Sequence, residues 1–298
     1  MTKKLKSAPY GRAGSKVRLA PWIVWLASFV IHKKWGELFA GSCAVTLNKP
    51  CVKWEFLNDK DKWISNFLSV LRNRTQKAEL LRQLRYSAWE KANYERCTAT
   101  IKGRLRLPKD PVDMARIFLV NNCQSFDRSG RTFSVSEVKS GICKWKRINE
   151  YIDFMADRIR DCTIFDLDYF EALKIRQIDD PQTLIYVDAP YVDVEKTFYA
   201  TNKRDGFDHV ALRDALECSK ASLLVSYEDH PLIRDLYSEA DGWLIKQADV
   251  TRSLGNNGKR ARELLIIRKS AWARQQDGTM PSPSGLQQLY GLDGEPLT

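Results

Sequence analysis

The pattern of apolar and polar positions divides the chain into strand-length and helix-length runs in alternation. Thr183-Leu184-Ile185-Tyr186-Val187 is continuously apolar and rich in β-branched side chains, and it stops at Asp188-Ala189-Pro190-Tyr191. A run of that length is expected for a strand buried on both faces, as parallel strands are. Further strands are expected from Trp35, over Val52 to Leu57, over Thr163 to Asp168 and over Ala221 to Ser226. Trp243 to Val250 and Glu263 to Arg268 read as a closing pair. Helical spacing marks Val17 to Ile31 (Trp22, Leu26, Phe29, Val30) and a stretch through Ile64, Phe67, Leu68 and Leu71. It returns through Ala172 and Leu173, then over Phe207 to Cys218 and Pro231 to Ala240. Strands and helices alternating in this way predict an α/β fold with a mainly parallel sheet.

The middle of the chain breaks that order. Arg72 to Lys109 is rich in Lys and Arg, and a helix is expected from about Gln76 to Arg96. On it Arg82, Arg85, Trp89 and Arg96 share one arc beside Leu81, Leu84 and Ala88. That face suits a phosphate backbone or, equally, solvent. Asp110-Pro111 opens another helix, with Asp as N-cap and Pro at the first helical position. Gln124 to Ser134 reads as a β-hairpin with its turn near Ser129-Gly130, carrying Arg128 and Arg131, with Phe126 and Phe133 expected to fix its register. Val138, Ile142, Trp145, Ile148, Ile152, Met155 and Ile159 then mark a long amphipathic helix. The reading is an inserted, mainly helical domain over 71–160, an α/β domain assembled from 1–70 and 161–270, and a disordered tail over 271–298.

Charge sharpens the picture. The net charge of +11 points to a polyanionic partner, nucleic acid first. Seven cysteines without a Cys-x-x-Cys pair argue against a disulfide framework or a zinc knuckle, and no metal is expected. The apolar run from Ala20 to Ile31 falls short of the roughly 20 residues a bilayer-spanning helix needs. A soluble protein of the cytoplasm is expected, monomeric or weakly dimeric.

The candidate chemistry sits where strands end. Asp188 would enter the crevice at the carboxyl end of its strand, followed by a Pro-stiffened turn and the ring of Tyr191. Together they make a slot for a flat molecule bearing an amino group. The loop Pro9 to Lys16 carries Gly11, Gly14 and a terminal Lys; it could cradle an anion or be a plain turn. Gly41 opens a turn of small residues, and Asp59 follows at the spacing of a ribose-binding acid, unless it only caps the next helix. Val192 to Arg204 reads as a lid or binding loop, and Thr251 to Arg260 as a basic connector containing Lys259.

In order and spacing, these pieces resemble the Dam-type (D12 class) DNA adenine-N6 methyltransferases from about Pro9 to Arg268. The matching motifs are Ala13-Gly14-Ser15-Lys16, Glu37-Leu38-Phe39-Ala40-Gly41, Asn58-Asp59, Asp168 and Asp188-Ala189-Pro190-Tyr191, continuing into Leu224-Val225-Ser226-Tyr227 and on to Arg252 and Glu263. The resemblance implies a class I, Rossmann-like methyltransferase fold using S-adenosylmethionine, with an inserted target-recognition domain, acting on double-stranded DNA in a bacterial or phage-infected cell. It would place Lys16 and Gly14, flanked by Tyr10 and Arg12, at the cofactor's methionine end. Glu37, Phe39 and Gly41 would wrap the cofactor, Asp59 would hold its ribose and Asp168 would lie near its adenine. Asp188, Ala189, Pro190 and Tyr191 would hold the target base. Arg82, Arg85, Arg96, Arg128, Arg131 and Lys259 are the candidate DNA contacts.

The chain departs from the family pattern at Ser15, Leu38, Arg12 and, at the target site, Ala189 in place of a proline. The implied chemistry uses the backbone carbonyl of residue 189, which survives the change. What is lost is one fixed φ, a stiffness effect of roughly 0.4–1 kcal/mol, so an active enzyme is expected. The alternatives are methylation of cytosine N4 or of adenine in RNA, and a DNA-binding homologue without catalysis.

Overall fold

The computed structural model describes residues 6–12, 14–128, 130–134, 141–192, 206–251 and 260–268. Its strands are β1 (Lys34–Glu37), β2 (Trp54–Asn58), β3 (Thr163–Phe165), β4 (Thr183–Val187), β5 (Ser222–Glu228), β6 (Trp243–Thr251) and β7 (Arg260–Arg268). They form one sheet in the order β3-β2-β1-β4-β5-β7-β6. The first five in that order run parallel, and β7 lies antiparallel between β5 and β6. The chain order reverses at the β1–β4 junction, where an open sheet leaves its ligand crevice. There Glu37 is level with Tyr186, so Asp188 projects from the rim two residues further on.

The helices are α1 (Ala20–Ser28), α2 (Ala44–Asn48), α3 (Lys62–Arg72), α4 (Arg74–Arg85), α5 (Lys91–Ile101), α6 (Pro111–Cys123), α7 (Gly141–Arg158), α8 (Tyr169–Leu173), α9 (His209–Glu217) and α10 (Pro231–Leu236). Side chains of β4 alternate between two cores. Leu184 and Tyr186 join Ile23 and Leu26 of α1 on one face, while Ile185 and Val187 join Leu212 and Ile233 on the other. A third core unites α3 with α4 to α7 through Phe67, Leu84, Phe118, Ile152 and Met155. The basic segment is therefore packed onto the sheet's own α3. A further tie is the buried pair of Arg158 with Glu55, from the end of α7 to β2.

Several expected elements differ. The first helix is shorter, because Val17 to Leu19 form a turn and the helix ends at Ser28. The helix expected over Gln76 to Arg96 is two helices, broken between Tyr86 and Glu90. Within the break, the Ser87 carbonyl accepts from Trp145 Nε1, and the Ala88 carbonyl accepts from Gln124 and Asn93. Trp89 packs on Trp145 with ring centroids 4.8 Å apart. Tertiary partners thus outcompete the continuing helix.

The expected hairpin over Gln124 to Ser134 is a compact loop with one antiparallel bridge, Ser125 to Phe133, around a short 3₁₀ turn at Phe126–Arg128. Two backbone bonds cross it, from Phe126 N to the Thr132 carbonyl and from Ser134 N to the Gln124 carbonyl, and side chains at the end of α6 and just after it satisfy the groups at the tip. Asn122 donates to the Arg128 carbonyl, Asn121 donates to that of Gly130, and Ser125 Oγ accepts from Gly130 N. Phe133 packs on Tyr94 as a register-fixing residue should, whereas Phe126 is exposed. β3 stops at Phe165, so Asp168 is not a strand-end residue. The lid expected over Val192 to Arg204, the connector with Lys259 and the tail lie wholly or largely outside the described residues. No helix among the described residues is long and apolar enough to cross a membrane.

Candidate functional site

The rim of the β1–β4 crevice gathers a charged cluster from four distant parts of the chain. Lys16 is buried, and its Nζ donates to Asp188 Oδ1 at 2.7 Å and to the Gly14 carbonyl at 3.0 Å. Glu263 Oε1, from β7, stands 3.5 Å away, and the Tyr191 ring lies with its centroid 4.7 Å from the ammonium. Burial opposes the Lys16 charge, but Asp188 and Glu263 outweigh it and hold the pKa above the ordinary lysine value. Asp188 Oδ1 also accepts from Ser226 Oγ at 3.2 Å, and that hydroxyl meets Tyr186 OH at 2.8 Å. Tyr191 OH donates to Glu263 at 2.6 Å. Asp188 keeps 23% of its side-chain surface open to the crevice, while Ala189 beneath it is buried in the core.

Beside this cluster, the loops after β1 and β2 are pinned to each other. Asp59 accepts from Gly41 N through one oxygen, at 2.8 Å, and from Asp61 N through the other, at 2.9 Å. Gly41 has φ of +48°, the left-handed region where a side chain is disfavoured. Burial raises the Asp59 pKa, and the Arg12 guanidinium works against that rise. The cap of α3 is Asp61, which accepts from Trp63 N and pairs with Arg12, so Asp59 does not fill the capping role. Tyr10 donates to the Gly41 carbonyl at 2.6 Å, its ring held by Phe67 and Phe118.

Glu37 faces inward. It accepts from Thr46 N of α2 at 2.7 Å, and burial pushes its pKa up to about 8. Phe39 meets Tyr169 and Phe207 in a triangle of rings whose centroids lie 5.7 to 5.8 Å apart. Asp168 caps α8 at Phe170 N and pairs with Lys60. Burial works against its ionised form, yet Lys60 lowers its pKa.

The structure thus brings together Lys16, Gly14, Asp188 and Tyr191, and separately Tyr10, Arg12, Gly41 and Asp59. The residues that sequence reasoning left without a role are Ser226, Tyr186, Glu263, Tyr169 and Phe207. The available signal was polarity inside apolar strands: Ser226 between Val225 and Tyr227, and Glu263 leading into Leu264 to Ile267.

The candidate nucleic-acid contacts fall in two places. Arg82 and Arg96, on either side of the α4–α5 break, line a cavity of about 420 Å³ together with Arg116. Arg85 is exposed and outside that lining. Arg128 and Arg131 are exposed on the compact loop, which docks on the N-terminal loop through Gly11. Asn122 accepts from Gly11 N, and a Cβ on Gly11 would come within 2.6 Å of Arg128 Cβ. Among the described residues, no group of three or more His, Cys, Asp or Glu is arranged to hold a metal ion.

Chemically, the crevice offers a carboxylate acceptor with a ring beside it, and an acid anchored by a glycine turn next to an aromatic triangle. No curated protein matches the chain. The family model of the D12 class N6 adenine-specific DNA methyltransferases matches residues 13–252. The chain belongs to that family and is an adenine-specific DNA methyltransferase.

Proposed function

We propose that the protein transfers a methyl group from S-adenosylmethionine to N6 of an adenine flipped out of double-stranded DNA. The observation that carries this reading is Asp188, an acceptor carboxylate at a strand end, partly open to the crevice and flanked by Tyr191. The donor set fits the cofactor. Asp59, already aligned by two backbone amides, has lone pairs left for ribose hydroxyls. The Phe39, Tyr169 and Phe207 rings offer an apolar wall for a purine, and Gly14 has nothing within 4 Å of where its Cβ would be. S-adenosylmethionine supplies a methyl group on a sulfonium, so the leaving group comes with the donor.

The protein's own task is to make a poor nucleophile available. Asp188 and the carbonyl of Ala189 would accept the N6 hydrogens, favouring a lone pair less delocalised into the ring. They would also stabilise the positive charge growing on nitrogen. Tyr191 would give the extruded base a stacking surface, since a base inside the duplex is out of reach. Residues 71–160 would form the target-recognition part. A cytoplasmic place in a bacterial or phage-infected cell, and a restriction-modification role, accord with this chemistry.

The test is sequencing of modified bases in DNA treated with wild-type protein and with Asp188→Ala. Wild type should yield N6-methyladenine at defined sites. The variant should bind S-adenosylmethionine yet lose roughly a hundredfold or more in kcat. Methylation by Asp188→Ala at near wild-type kcat, or modification of cytosine alone, would refute the assignment.

A further inference from the structure

The cluster at Asp188 holds one more carboxylate than an acceptor for an amino group requires. Glu263 is 4% exposed on β7, opposite Glu228 of β5 and Ala248 of β6. Burial raises its pKa, and Lys16 pulls it back. A buried carboxylate is costly unless it is paired, and one cation here is shared by two of them. With both carboxylates ionised, Lys16, Asp188 and Glu263 together carry one net negative charge. Without Glu263, Lys16 would cancel the charge of Asp188, and the acceptor would lose its pull on a nitrogen becoming positive. Glu263 also accepts from Tyr191 OH, so it ties the ring to the same cluster.

We propose that Glu263 is a positioning residue for methyl transfer. It shares the charge of Lys16 so that Asp188 stays an anionic acceptor, and it orients Tyr191 through the phenol. This inference rests on Asp188 receiving the adenine amino group. It concerns a residue beyond the stretch matched by the family model, which ends at 252.

The experiment measures kcat and KM on duplex DNA at saturating S-adenosylmethionine for wild type, Glu263→Gln, Glu263→Asp, Lys16→Met and the Lys16→Met/Glu263→Gln double variant. Thermal melting of each variant is followed in parallel. Gln keeps an oxygen acceptor for Tyr191 and removes only the charge. Its kcat should fall roughly ten- to hundredfold with little change in KM for DNA. Asp should recover part of the loss. The double variant should turn over faster than Glu263→Gln alone, because no ammonium then neutralises Asp188. A merely structural Glu263 gives no such recovery. Wild-type kcat in Glu263→Gln, or a double variant whose loss equals the product of the single losses, overturns the inference while leaving the substrate reading standing. Absence of N6-methyladenine with the wild type overturns the substrate reading and this inference with it.

Discussion

Asp188, Asp59, Glu263 and Glu37 all lie at the carboxyl end of the sheet, and their partners give each a different task. Asp188 faces the crevice, Asp59 holds a turn, Glu263 shares a lysine, and Glu37 is turned into the protein beneath α2. For Glu37 the raised pKa has a thermodynamic consequence. The unfolded chain releases this proton near the ordinary carboxylate pKa of 4.5, the folded protein only near 8. Between those values the native state holds more protons, so this group's contribution to stability is full below pH 4.5 and is lost as pH rises towards 8. The slope is at most about 1.4 kcal/mol per pH unit. Glu37→Gln keeps the acceptor for Thr46 N and removes the titration. Denaturant melts from pH 4.5 to 8 should show wild type losing stability relative to the variant; parallel curves would mean that Glu37 ionises normally. Asp188 was legible in the sequence because an acid that ends an apolar run marks a strand end. Glu263 shows in the sequence as a charge leading into an apolar run, but its role does not, because that depends on β7 inserting beside β5, which no local pattern encodes.

At the scale of elements, the sheet strands were legible and the basic segment was less so. Strands of the α/β part are specified by their own apolar runs. In the basic segment, neighbours decide: Trp145, Gln124 and Asn93 capture the carbonyls that a continuous helix over Gln76 to Arg96 would have used. Asn121 and Asn122 do the same for the expected hairpin. Asn122 is central, since it accepts from Gly11 N and donates to the carbonyls of both Gly11 and Arg128. It fastens the loop of the basic segment to the loop that carries Lys16. Asn122→Ala would leave these part-buried backbone groups without that partner, at a cost of about 1 kcal/mol. Chemical denaturation should register that loss, and calorimetry should show weaker S-adenosylmethionine binding as the Gly14 loop loosens. Unchanged stability and cofactor affinity would mean that the two loops are held by other contacts.

For the whole molecule, the net charge of +11 becomes informative once the arginines are placed. One set, Arg82 and Arg96 with Arg116, surrounds a cavity across α4, α5 and α6. The other, Arg128 and Arg131, rides on a loop bolted to the N-terminal loop and hence to the rim of the crevice. A loop hydrogen-bonded to the one that carries Lys16 would be well placed to read bases next to the target proposed at that rim. A broad helical face can hold phosphates in any sequence. The two sets should therefore fail differently. Losing a base contact costs roughly 1–3 kcal/mol and relaxes specificity at one position, while losing a phosphate contact weakens all sequences alike and lowers the salt slope by about one. Methylation of a randomised duplex library by Arg82→Ala, Arg96→Ala, Arg128→Ala and Arg131→Ala, together with binding titrations at several salt concentrations, separates these outcomes. Arg128→Ala and Arg131→Ala should broaden the methylated motif. Arg82→Ala and Arg96→Ala should preserve it with a shallower salt dependence. An unchanged motif in both loop variants, with an altered one in a helix variant, would move recognition from the compact loop to the α4–α6 face.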